Sequence, residues 1–114
     1  MNKFWKQVGN LISNYPEISC DILDFEEEDT VWISHIMRLN PSTTRKGIGK
    51  EFLRKLCFLF DSYGYDCRLN IEEWSAVDKL TELYSSLGFE VIHTEPFDYV
   101  EMVRYKKSGY TITR

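Results

Sequence analysis

The stretch from Ile48 to Tyr63 constrains this chain more than any other: Ile48, Phe52, Leu53, Leu56, Leu59, Phe60 and Tyr63 recur at helical spacing. An apolar stripe of that width needs a surface to bury itself against, and the flanking segments supply one. Upstream, residues 30–39 read as a strand, with Val31, Ile33, Met37 and Leu39 on one side and Trp32, Ser34, Ile36 and Arg38 on the other. The same count groups His35 with Val31 and Ile33. Downstream, Tyr63-Gly64-Tyr65 ends the helix, and Cys67, Leu69 and Ile71 alternate as a short strand.

The remaining elements follow from the same rules. Phe4, Trp5, Val8, Leu11, Ile12 and Tyr15 make residues 1–15 an amphipathic helix that Pro16 stops. Residues 17–25 alternate as a strand and run into an acidic turn over 24–29. Ser75 and Asp78 have the spacing of a capping box, predicting a second long helix with Val77, Leu80, Tyr84 and Leu87 as its stripe. Gly88-Phe89 fits a left-handed cap with a hydrophobic contact behind it. Two strands, 89–94 and 99–106, are separated by Glu95-Pro96-Phe97-Asp98 and leave a polar tail over 107–114. The predicted order is α-β-β-α-β-α-β-β in one domain spanning 1–114, with its N-terminal helix over 1–16 and no repeat or linker.

Composition removes several classes of function. Three Trp, seven Tyr and seven Phe with 43% hydrophobic residues are unlike the composition of a disordered chain. A net charge of -4 argues against a general nucleic-acid binder, which needs a surplus of Lys and Arg. Cys20, Cys57 and Cys67 form no CxxC pair, and His35 and His93 lie far apart, so neither a metal site nor a disulfide framework is expected. A cytoplasmic setting without membrane contact suits this pattern, since residues 1–15 contain no continuous apolar core.

Against that acidic background, residues 45–55 carry Arg45, Lys46, Lys50, Arg54 and Lys55 and one acid, Glu51. A strand, a turn bearing Gly47 and Gly49, and then a helix aim unpaired amide N–H groups and the positive end of a helix dipole at an anion. The plainer reading is a tight turn followed by the solvated face of a helix. Two other phosphate motifs fail: Glu51 follows Gly49-Lys50 where a P-loop needs Ser or Thr, and three spaced glycines are absent.

Leu39-Asn40-Pro41, Arg45-Lys46-Gly47-Ile48-Gly49 and Leu83-Tyr84-Ser85-Ser86-Leu87-Gly88-Phe89 together resemble the two signature segments of the GCN5-related N-acetyltransferase (GNAT) family. The resemblance implies an α/β, three-layer acyl-coenzyme A N-acyltransferase fold, with a mixed, mainly antiparallel central sheet flanked by helices and its coenzyme-binding core over 30–105. It implies acetyl-coenzyme A as co-substrate, held by Met37, Arg38 and Leu39 along its arm and by Thr44, Arg45, Lys46, Gly47, Ile48, Gly49 and Lys50 at its pyrophosphate. The expected reaction is acetyl transfer by direct attack to an amine acceptor, a small amine, polyamine or protein amine. The sequence departs from the family at Thr44, where Gln or Arg is usual, at Val77, where Asn is usual, and in its short N-terminus. Those departures leave an alternative, a weak or inactive module of this fold that binds protein partners, and a homodimer in which a second subunit completes the acceptor wall.

Direct attack requires a neutral amine and a proton or hydrogen bond for the leaving sulfur. The resemblance nominates Tyr84 for the sulfur; its spacing with Val77, Leu80 and Leu87 fits core packing as well. Glu72, with Glu73 beside it, follows the strand at 67–71 and could serve as a base through water, or be a solvated surface acid. The acidic turn over 24–29 would favour a cationic acceptor.

Overall fold

A computed structural model describes residues 3–25, 29–38 and 47–106 of the chain, with the side chains of 24–25 and 35–38 left aside. Helices α1 (Lys3–Ser13), α2 (Ile48–Tyr63) and α3 (Val77–Ser86) accompany strands β1 (Ile18–Phe25), β2 (Thr30–Arg38), β3 (Asp66–Ile71), β4 (Glu90–Glu95) and β5 (Tyr99–Arg104). The strands form one sheet in the order β1-β2-β3-β5-β4. Every neighbouring pair is antiparallel except β2 and β3, which are joined through α2. No helix among the described residues is long and apolar enough to cross a membrane.

The stripe read from the sequence is the core. Ile48, Phe52, Leu53, Leu56 and Phe60 of α2 are buried with Val31 and Ile33 of β2, Cys67, Leu69 and Ile71 of β3 and Met102 of β5. Phe4 anchors α1 in this cluster, its ring 4.7 Å from that of Tyr65, 5.6 Å from Tyr63 and 6.1 Å from Phe60.

Glycines close both long helices in the same way. At Gly64 (φ 72) the Tyr65 N–H donates to the Phe60 carbonyl at 2.8 Å and the Gly64 N–H to Asp61 at 3.2 Å. At Gly88 (φ 99) the Phe89 N–H donates to Tyr84 at 3.1 Å and the Gly88 N–H to Ser85 at 3.1 Å. Both are Schellman motifs, and the accompanying apolar contact at the second is the Tyr84–Phe89 ring pair at 5.6 Å. The start of α3 differs from expectation. Residues Trp74–Ala76 form a 3₁₀ turn, the cap position falls on Ala76, and no side chain caps the helix. Ser75 therefore lies inside that turn, and the capping box is not made.

A buried ion pair locks the three layers of sequence together. Arg104 of β5 donates from its two terminal nitrogens to the Asp61 carboxylate at 2.7 and 2.9 Å, and from Nε to the Leu87 carbonyl at 2.8 Å. One guanidinium thus joins the end of α2, the last strand and the end of α3, with Asp61 6% and Arg104 4% exposed.

Candidate functional site

The parallel pair β2–β3 does not run its full length. Its register covers Thr30↔Asp66 to Ile33↔Leu69 and stops, while β2 stays paired with β1 as far as Ile18↔Arg38 and β3 with β5 as far as Ile71↔Val100. The two strands therefore part like a wedge, and no described strand covers the edge of β2 at 34–38 on that side. The β1–β2 register also shifts at this point, between Asp21 and Ile22. Such a bulge re-aims a strand and is common beside functional sites. In β2 the residue passed over is Ser34, since His35 pairs with Asp21 and Ile33 with Ile22, so strict alternation is interrupted there.

The start of α2 lies at the same end of the sheet, because α2 follows the C-terminal end of β2 and returns antiparallel to it. Gly47 takes the cap position in a left-handed conformation (φ 77), which a side chain would strain, and no side chain caps the helix. Glu51 N–H donates to the Gly47 carbonyl at 3.0 Å, leaving the N–H groups of Ile48, Gly49 and Lys50 outside the helical ladder. Gly49 is informative for a different reason. Its φ is ordinary and an added Cβ would meet no described atom within 4 Å, so the described residues impose neither strain nor a packing limit on a residue that costs about 1 kcal/mol relative to alanine in a helix. The one acid of this turn, Glu51, has its carboxylate engaged by the buried Tyr15 hydroxyl at 2.6 Å.

Tyr84 is the only buried residue of α3. Desolvation pushes its phenol up to about 12, with Cys20 of β1 and Cys67 of β3 adding to the shift. Its hydroxyl makes no hydrogen bond to a described residue. Glu72 is exposed immediately past the end of β3, at the mouth of the wedge, and has no contact with Tyr84. Gly47, Ile48, Gly49 and Lys50 lie at the start of α2, at this end of the sheet. Met37 and Arg38 are described only as backbone on the free edge of β2, and Leu39, Thr44, Arg45 and Lys46 lie outside the described residues.

The fold as a whole is shared with solved structures. Arabidopsis thaliana Naa50, solved with the bisubstrate analogue CoA-Ac-MVNAL, matches with a TM-score of 0.56 and 21% identity over 76% of this chain. The PaiA N-acetyltransferase of Thermoplasma acidophilum, in complex with coenzyme A, matches at 0.57 and 20% over 88% of this chain and 70% of its own. The fold is that of the GNAT N-acetyltransferases. The NatC complex bound to Gag peptide and coenzyme A adds a third match, at 0.56 and 12%, over 90% of this chain and 79% of that one. The chain spans 62% of the length of the Naa50 chain. No protein-family model and no curated protein sequence matches it.

Within this acetyltransferase fold, two pairings escaped the sequence reading. Tyr15–Glu51 and Asp61–Arg104 join residues 36 and 43 positions apart, and no periodicity connects them.

Proposed function

We propose that the chain belongs to the GNAT family and is an acetyl-coenzyme A-dependent N-acetyltransferase that acts on an amine by direct attack. The observation that carries this reading is the parting of β2 and β3 at the end of the sheet where α2 begins uncapped. The N–H groups of Gly47, Ile48, Gly49 and Lys50 would hold the pyrophosphate, and the free edge of β2, including Met37 and Arg38, would pair with the pantetheine arm. The coenzyme supplies an acyl group as a thioester. The amine nitrogen forms the new bond to the acyl carbon, the carbon–sulfur bond breaks with its electron pair on sulfur, and the proton shed by the amine must be taken up.

Tyr84 supports this chemistry in a defined way. A phenol at about 12 is a weaker acid than a thiol near 8.5, so full proton transfer from Tyr84 to the leaving sulfur runs uphill. Tyr84 instead donates a hydrogen bond to the developing charge and remains protonated throughout the physiological range. Glu72, exposed at the mouth, can take the amine proton through water.

The reading is tested by thermal unfolding with acetyl-coenzyme A. Ligand at about 100 times its dissociation constant is expected to add roughly 2.7 kcal/mol, and no shift with either acetyl-coenzyme A or free coenzyme sinks the proposal. Thiol release with a panel of amines then separates an enzyme from a binding module. A second expected result concerns Gly49→Ala. Stability should rise by up to about 1 kcal/mol, while coenzyme affinity falls because the methyl group occupies the anion's place. Unchanged affinity, measured by titration calorimetry, would remove Gly49 from the site.

A further inference from the structure

Phe97 is the most exposed of the large hydrophobic side chains among the described residues, at 85%, and its backbone sits at φ 63. A bulky residue in the left-handed region is a genuine outlier, strained by roughly 1–3 kcal/mol. Glycine or asparagine would relieve that strain, and the ring buries too little to offset it. Among the described residues its one ring neighbour is Trp74, 5.6 Å away and tilted by 46°. The location gives this pair a setting. Trp74 follows Glu72 and Glu73 just past the end of β3, and the hairpin turn carrying Phe97 is tied there by the Ile71↔Val100 pairing. The two rings therefore stand at the mouth where β2 and β3 part.

The charged side chains nearest them in sequence are acidic, bounded by Arg68, which pairs with Glu101 at 3.8 Å, and by Lys79 and Arg104. Residues 69–78 contain Glu72, Glu73 and Asp78, residues 90–103 contain Glu90, Glu95, Asp98 and Glu101, and neither segment has a Lys or Arg. Glu72, Glu73, Glu95 and Asp98 are all exposed beside the rings. Glu95 is paired with His93 at 3.1 Å. Among the described residues the cation–π contacts are elsewhere, Lys55 over Tyr15 and Arg68 over Trp32. Aromatic faces flanked by carboxylates attract an organic cation, because the ring quadrupole and the acids act together.

We propose that Trp74 and Phe97 form a docking corner for a second positive charge on the acceptor, so that the preferred substrates are amines carrying a further cationic group. The inference rests on the acetyltransferase reading and assigns its substrate class. The reacting amine enters the wedge while the distal cation lies against the two rings, with Glu73 and Asp98 beside it. Strain at Phe97 is then the cost of presenting a ring outward.

Cadaverine and n-pentylamine have the same five-carbon chain and differ in the distal charge, so the ratio of their kcat/KM values isolates the corner. With the intact chain the diamine is expected to be favoured about tenfold, the scale of a partly desolvated cation–π contact. In Trp74→Ala and Phe97→Gly that ratio should fall below about threefold. Phe97→Gly should unfold at or above the temperature of the parent chain, because glycine relieves the positive φ. A ratio that stays unchanged in both variants overturns the proposal, as does a large loss of thermal stability in Phe97→Gly, which would make the ring structural. A chain that binds coenzyme but acetylates both amines equally sinks this proposal alone. A chain that binds no coenzyme sinks the reading beneath it.

Discussion

Asp61→Ala is expected to destabilise the fold by about 3–5 kcal/mol, the cost of leaving a buried guanidinium without its counter-charge. Both partners are nearly inaccessible, the contact is bidentate at 2.7 and 2.9 Å, and the side-chain bond to Asp61 raises the affinity of Arg104 for its proton. Arg104 therefore cannot escape by neutralising. Its third bond, to the Leu87 carbonyl, would keep it beneath α3 and hold the charge in place. The measurement is a denaturant titration, in which the midpoint should fall while the slope stays constant. The double substitution Asp61→Leu with Arg104→Met supplies the contrast: with both charges gone, most of the loss should be recovered. If the single and double variants are equally unstable, packing rather than charge holds this corner.

Tyr84→Phe is expected to lower kcat by about 100-fold, on the scale of removing one hydrogen-bond donor from a developing negative charge. Affinity for acetyl-coenzyme A should change less than twofold. Stability should hold, since the hydroxyl has no described hydrogen-bond partner to lose and the ring contact with Phe89 at 5.6 Å is kept. Single-turnover thiol release reads the chemical step directly, and calorimetry reads binding. A variant that loses affinity but turns over bound coenzyme normally would show that Tyr84 shapes the core and takes no part in the reaction.

The legible parts of this molecule are the local ones. The stripe from Ile48 to Tyr63, the stop at Gly64 and the left-handed cap at Gly88 depend on residues within one or two turns of each other, and all three stand in the structure. The turn before α3 misled because Ser75 and Asp78 satisfy a spacing rule that Trp74–Ala76 overrides by winding one residue tighter. Period-two counting also has no way to register the interruption at Ser34 in β2. At the candidate site, Gly47 and Gly49 announced themselves through the missing side chains. The wedge did not, since the point where β2 and β3 part is set by pairing with β1 and β5. Trp74 and Phe97 meet only because β5 lies beside β3, an adjacency that skips a strand.

The clamp at Arg104 also bears on how the chain is made. Asp61 belongs to the middle of the sequence, and Arg104, which pairs with it, arrives 43 residues later on the last strand. β3 likewise waits for β5 to close its second edge. Domains generally fold as units as they emerge, at about 5–20 residues per second. During synthesis, then, the helix carrying Asp61 would have to bury that carboxylate ahead of Arg104 if it docked early, a step that desolvation of the acid opposes. Docking is therefore deferred for several seconds until residue 104 exists, which keeps a half-made sheet from settling around an incomplete wedge.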